Sequence, residues 1–128
     1  LHDKGYGSRF DDLEGFTQAA LLLTRVISKP TPNRVTLDLG YKAVASDPPA
    51  GKRCSFLTLS NYEAVLQNEE HLVLETPEAD KLNPGDELLA FPTHICPTSA
   101  MHKSAYVVEG GKLIGQWDIV ARDRSLGI

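Results

Sequence analysis

The 128-residue chain is short of positive charge, of cysteine and of long apolar runs. It carries 13 Lys+Arg against 17 Asp+Glu, a formal net charge of −4, and has no basic stripe. That balance argues against a surface for nucleic-acid phosphates. The longest apolar run is Ala19 to Leu23, far below the ~20 residues of a membrane span. Neither a nucleic acid nor a membrane is therefore expected as a partner. Cys54 and Cys96 are the two cysteines, too few for a disulfide framework. No signal-peptide pattern accompanies them, so a reducing, cytoplasmic setting is expected. The chain opens Leu1-His2-Asp3 rather than on an initiator Met, which predicts a piece of a longer protein. Familiar catalytic strings are missing as well. There is no G-x-S-x-G and no P-loop, and the one G-x-G, Gly5-Tyr6-Gly7, follows no strand.

What is present is an ordinary globular composition. Apolar residues make up 41% and charged residues 23%, which argues against disorder. A chain of this length buries roughly two thirds of its unfolded surface and needs no staple. Residues 1–10 are polar and glycine-bearing and read as an irregular lead-in. Residues 11–28 read as a helix. Asp11 and Asp12 suit its N-terminus, and Phe16, Ala19, Ala20, Leu23, Val26 and Ile27 recur at helical spacing. Pro30 and Pro32 would stop it. After residue 33 the period becomes two. Strands are predicted over 34–39, 54–60, 71–75 and 87–91, with 41–52 a loop. Residues 61–68 fit either a helical turn or a strand edge. Asn83-Pro84-Gly85-Asp86 predicts a type II turn. Gly110-Gly111 predicts a hairpin of 105–109 with 112–121, in which Glu109 faces Lys112. The expected fold class is mainly β, one N-terminal helix followed by a barrel or sandwich of about seven strands. Residues 11–128 would form one domain.

His94-Ile95-Cys96 carries the sharpest chemical signal. On an extended segment residues i and i+2 point to the same side, so imidazole and thiol could share one ion. Pro92 and Pro97 bracket and stiffen the segment. That donor pair suits zinc, and two protein ligands leave positions open for water or substrate. The plainer alternative is packing, because a buried cysteine usually acts as a small hydrophobe. His71 and His102 read as solvated or hydrogen-bonded rings, Cys54 as core, and Lys42 as a solvated lysine in the loop after Gly40.

Two strings of residues resemble a known family. One runs from Gly85-Asp86 through Phe91-Pro92-Thr93-His94-Ile95-Cys96-Pro97-Thr98, then Met101-His102 and Ala105-Tyr106-Val107-Val108. The other runs from Arg25-Val26-Ile27-Ser28-Lys29-Pro30 through Thr36-Leu37-Asp38-Leu39-Gly40-Tyr41-Lys42-Ala43 to Ser46-Asp47. Together they resemble the C-terminal domain of the D-threonine aldolase and D-serine dehydratase group. These are pyridoxal-phosphate enzymes of the alanine-racemase fold type. The matching strings lie within residues 19–122.

The resemblance implies a mostly-β C-terminal domain whose N-terminal (β/α)8 barrel lies outside these residues. Residues 1–10 would be the severed connection to it. That barrel would carry the Schiff-base lysine for pyridoxal phosphate, so no lysine here takes that role and no cofactor-binding residue is assigned. The resemblance places the metal pair, for zinc or another divalent ion, on His94 and Cys96. His102 and Lys42 become candidate supporting groups because they lie in the matching strings. The dehydratase branch has Cys at the second metal position where well-known aldolases have Asp, so Cys96 leans toward dehydration. Ser99-Ala100-Met101 departs from the more usual V-N-L. The implied activity is dehydration or retro-aldol cleavage of a D-β-hydroxy amino acid such as D-serine or D-threonine. The implied enzyme is a homodimer, and this domain is inactive without its barrel. The metal would act as a Lewis acid on the substrate hydroxyl and the cofactor as the electron sink. Two other readings compete. A free-standing β-barrel binding module would have no catalytic role and a buried, inert Cys96. A racemase would leave His94-x-Cys96 unexplained.

Overall fold

In the computed structural model, which describes residues 3–123, 125 and 127, residues 22–31 form the longest strand. This strand, β1 (Leu22–Thr31), takes the place of the helix expected over 11–28. Leu22, Thr24 and Val26 turn inward while Leu23, Arg25 and Ile27 stay exposed, so the true period is two. The leucine and alanine run imitates a helical stripe. The β-branched Thr24, Val26 and Ile27 nevertheless suit a strand, and neighbours on both sides take up the backbone groups. Upstream there is one helical turn, α1 (Lys4–Gly7), and a 3-10 turn at Asp11–Leu13. The lead-in is thus not irregular throughout.

The remaining sheet strands are β2 (Arg34–Leu37), β3 (Cys54–Phe56), β4 (Glu63–Gln67), β5 (Leu72–Glu75) and β6 (Glu87–Pro92). They form one six-stranded antiparallel sheet in the order β3-β6-β1-β2-β5-β4. Strand β1 joins its two halves. Leu22–Arg25 pairs with β6, and the stretch from Val26 onward pairs with β2. Register shifts on either side of Ser28 let the strand bend and accommodate Pro30, which has no N–H to give. Ion pairs Arg25–Glu87 at 2.6 Å and Arg34–Glu75 at 2.8 Å sit on directly opposed residues and reinforce this register. The ambiguous segment 61–68 is strand, and the 54–60 prediction shortens to three residues.

The inner face gathers Val26, Val35, Leu37, Leu72, Leu74 and Leu88 with Leu39 and Val44 from the following loop. The sheet curls so that its edge strands approach each other. Phe56 meets Tyr62 edge to face at 5.1 Å. Arg53 Nη1 donates to Gln67 Oε1, and Gln67 Nε2 donates to the Leu39 carbonyl, each at 3.0 Å. Cys54 packs on this core as expected, and burial pushes its thiol from 9.0 up to about 11. The folded state therefore holds that proton longer than the unfolded chain. This contribution is constant below the unfolded value and falls as pH rises towards the folded one. Urea unfolding across that alkaline range should show a larger loss of stability in the parent than in Cys54→Ala. Equal losses would mean that the thiol is not shielded.

Local turn chemistry comes out as expected. Gly85 has φ of +100°, and Asp86 N donates to the Asn83 carbonyl at 3.0 Å. The hairpin of β7 (Ser104–Glu109) and β8 (Lys112–Asp118) turns on Gly110 and Gly111, with φ of +56° and +75°. Glu109 stands opposite Lys112. Strand β8 stops at Asp118 and a 3-10 turn follows at Val120–Asp123. The hairpin forms its own two-stranded sheet and exposes Tyr106, Val108, Leu113 and Trp117. Among the described residues no helix is long and apolar enough to cross a membrane.

Candidate functional site

The segment expected to run extended through His94 and Cys96 instead enters a short helix, α2 (Ile95–Met101). His94 is its extended N-cap residue, and Cys96 lies in the first turn. Pro97 explains the difference. In the first helical turn its missing N–H is one that would be unpaired anyway, so it starts a helix rather than stiffening a strand. The two side chains therefore do not share a strand face. Cys96 is exposed, which runs against packing as the reason for it.

Two long-range devices hold this segment. The first is Asp3, which is buried. Its Oδ1 accepts from Tyr6 N at 2.9 Å and caps α1, and its Oδ2 accepts from Ile95 N at 2.8 Å. His94 makes no side-chain cap, so the carboxylate from the lead-in supplies one for α2. Gly5 N also donates to the Thr93 carbonyl at 3.1 Å. The second device is the loop 40–47. Tyr41 N and Lys42 N donate to the Asn68 and Glu69 carbonyls at 2.9 and 3.1 Å. His102 Nε2–H donates to the Ala43 carbonyl at 2.9 Å. The buried Thr98 hydroxyl donates to the His94 carbonyl at 2.7 Å and accepts from Ala45 N at 3.0 Å.

The loop then delivers Asp47. Its Oδ2 lies 2.6 Å from His94 Nδ1. A carboxylate accepts, so Nδ1 carries the hydrogen and Nε2 keeps its lone pair in the neutral ring. Both residues line an open cleft of ≈ 440 Å³ with Tyr6, Arg9, Pro48 and Lys52. Arg9 and Lys52 make no side-chain hydrogen bond or ion pair with the described residues, leaving two positive charges on the cleft wall.

The structure brings His94 into this cleft, whereas Cys96 is not part of its lining. Lys42 is engaged at 2.9 Å by Glu70, whose hydrogen bond and charge raise the lysine's pKa. His102 serves as an anchor for the loop. Neither lines the cleft. Asp47 escaped the sequence reading because Asp47-Pro48-Pro49 looks like turn chemistry and its partner lies 47 positions away. A signal for it existed only as Ser46-Asp47 within the family-like string. Among the described residues no group of three or more His, Cys, Asp or Glu gathers as a metal site. By donor type alone, the His94 imidazole and the exposed Cys96 thiol suit a borderline ion, whose remaining positions water or substrate would fill. The contrast between the thiols is testable. Brief alkylation of the native chain should label Cys96 and spare Cys54, read by peptide mass mapping. Equal labelling would contradict the placement of either one.

Residues 19–108 match the family model of the serine dehydratase domain. A D-threonine aldolase of Arthrobacter sp. is 36% identical over 124 residues, 94% of this chain and 31% of that protein. The chain thus spans about a third of that relative's length. An uncharacterized protein of Mycobacterium tuberculosis is 29% identical over 112 residues, 85% of this chain and 84% of that protein. Among solved structures, the D-threonine aldolase from Filomicrobium marinum aligns with a TM-score of 0.74 at 23% identity, covering 84% of this chain and 29% of that one. A cysteine-to-alanine mutant of a D-threo-3-hydroxyaspartate dehydratase, in the metal-free form, aligns at 0.63 with 18% identity, over 77% of this chain and 31% of that one. Over the aligned part, these structures share the mainly-β fold of this chain.

Proposed function

This chain belongs to the serine dehydratase domain family, and from that premise we propose that it is the metal-ligand-bearing part of a pyridoxal-phosphate lyase acting on D-β-hydroxy amino acids. The observation that carries the reading is His94, bonded through Nδ1 and presenting Nε2, two residues from an exposed Cys96. A dehydratase of the same fold is known as a cysteine-to-alanine mutant in a metal-free form, which is in keeping with a metal in this fold. The barrel, the Schiff-base lysine and the homodimer partner belong to the longer enzyme. The apolar hairpin face around Trp117, 68% exposed, is the surface they would cover. An exposed thiol ligand also suits a reducing compartment.

His94 and Cys96 would hold the ion, and Cys96 must give up its proton to do so. When bound, the ion supplies Lewis-acid polarisation of a substrate hydroxyl, and pyridoxal phosphate in the longer enzyme supplies the electron sink. Arg9 and Lys52 offer charge for the substrate carboxylate. Asp3 and Thr98 keep the His94 segment from drifting. Cys96 favours dehydration over aldol cleavage.

The test is an assay of the longer enzyme with D-serine and D-threonine. Lewis-acid stabilisation is worth several kcal/mol, so His94→Ala and Cys96→Ala should each lower kcat/KM by more than about a hundredfold. The cofactor should remain bound in both. Full activity in either variant would remove that residue from the site. A second reading, a free-standing binding module, draws on the Mycobacterium tuberculosis relative, of which this chain covers 84%. That reading expects a buried Cys96, and the exposed thiol favours the first.

A further inference from the structure

We propose that Asp47 is the positioning residue of His94: it holds the Nδ1–H tautomer and turns Nε2 toward the ion. The inference deepens the metal reading above and rests on it. Its basis is the contact of Asp47 Oδ2 with His94 Nδ1 at 2.6 Å, across 47 positions of sequence. Among the described residues, His94 is the one side chain that Asp47 engages. Arg9 and Lys52, which have no ion pair among the described residues, line the same cleft, yet the carboxylate meets the imidazole rather than either of them.

The pair is not a chance meeting of mobile surface groups, because both backbones are tied to one buried hydroxyl. Thr98 Oγ1 donates to the carbonyl of His94 itself and accepts from Ala45 N, two residues before Asp47. The loop is fixed again by the bond from His102 to Ala43 and by burial of Val44 and Ala45. Pro48 and Pro49 then restrict the backbone on the far side of Asp47. A carboxylate on the remote ring nitrogen does two things for a histidine ligand. It selects the tautomer and fixes the ring plane, so that the coordinating nitrogen is held ready.

The test uses the chain itself in two measurements. Nitrogen NMR of the metal-free chain reads the histidine tautomers, and zinc titration by calorimetry reads affinity. In the parent, His94 should show Nδ1–H and His102 should show Nε2–H. In Asp47→Ala the His94 signal should move toward the Nε2–H form, and zinc affinity should fall about 10–100-fold. The His102 signal should stay in place, which certifies that the loop is still folded. In Asp47→Asn, whose amide oxygen can still accept, the loss should be smaller. A parent without the Nδ1–H signature overturns the proposal, and so does unchanged zinc affinity in Asp47→Ala. A parent that keeps the signature but binds no zinc overturns the metal reading and, with it, this role for Asp47.

Discussion

Gly40→Ala is expected to destabilise the chain by about 3 kcal/mol, the upper end of overpacking costs. A Cβ at position 40 would stand 2.0 Å from the Glu69 carbonyl oxygen, 2.2 Å from its carbon and 2.3 Å from Glu70 N. All three are backbone atoms, so no side chain can swing aside. Moving the chains apart would stretch the bonds of Tyr41 N and Lys42 N to the Asn68 and Glu69 carbonyls. The same movement would shift the loop that carries Asp47. A small domain has about 5–15 kcal/mol of stability in all, so the variant should lose a large share of it. Urea unfolding measures this, with Gly15→Ala as the control. Nothing lies within 4 Å of a Cβ at position 15, and its midpoint should hardly move. If the two variants unfold alike, the close approach at Gly40 is not a constraint.

The second large effect is expected from Asp3→Ala. The Asp3 carboxylate is buried, with 4% exposure, and it serves two backbone donors, Tyr6 N and Ile95 N. Truncation leaves both without that acceptor, and an unpaired buried donor costs about 1–3 kcal/mol. It also frees α1 from α2, so the wall of the cleft loosens along with the helix start. Asp3→Asn keeps one acceptor oxygen and should fall between parent and alanine. Hydrogen exchange at Ile95 separates this from a global effect. Protection there should drop in Asp3→Ala by more than protection at Leu37 or Leu74 in the core. A uniform drop would mean that Asp3 supports the whole fold rather than this segment.

How far each feature could be read from sequence depends on how local its cause is. Gly85 and Gly110-Gly111 were legible because positive φ is a property of the residue itself. Strands β2, β5 and β6 were legible from alternation over a few residues. Strand β1 was misread because the Leu21–Leu23 run at its start satisfies a helical stripe. Only pairing with β6 and β2, far along the chain, decides for a strand. The path through His94 and Cys96 was misread because Pro92 and Pro97 can bracket a strand or open a helix. Asp3, which caps that helix, lies 92 positions away. His94 and Cys96 stand out as candidates by residue type and string alone. The contact of Asp47 with His94 does not, since it exists only once the loop after Gly40 folds back on α2.

The most direct test of the central claim is zinc titration of the chain by calorimetry, in mildly acidic and mildly alkaline buffer, beside His94→Ala and Cys96→Ala. The account predicts one equivalent of zinc, held more tightly in the alkaline buffer because the thiol must deprotonate, and no binding in either variant. Zinc bound as tightly by both variants as by the parent would contradict it.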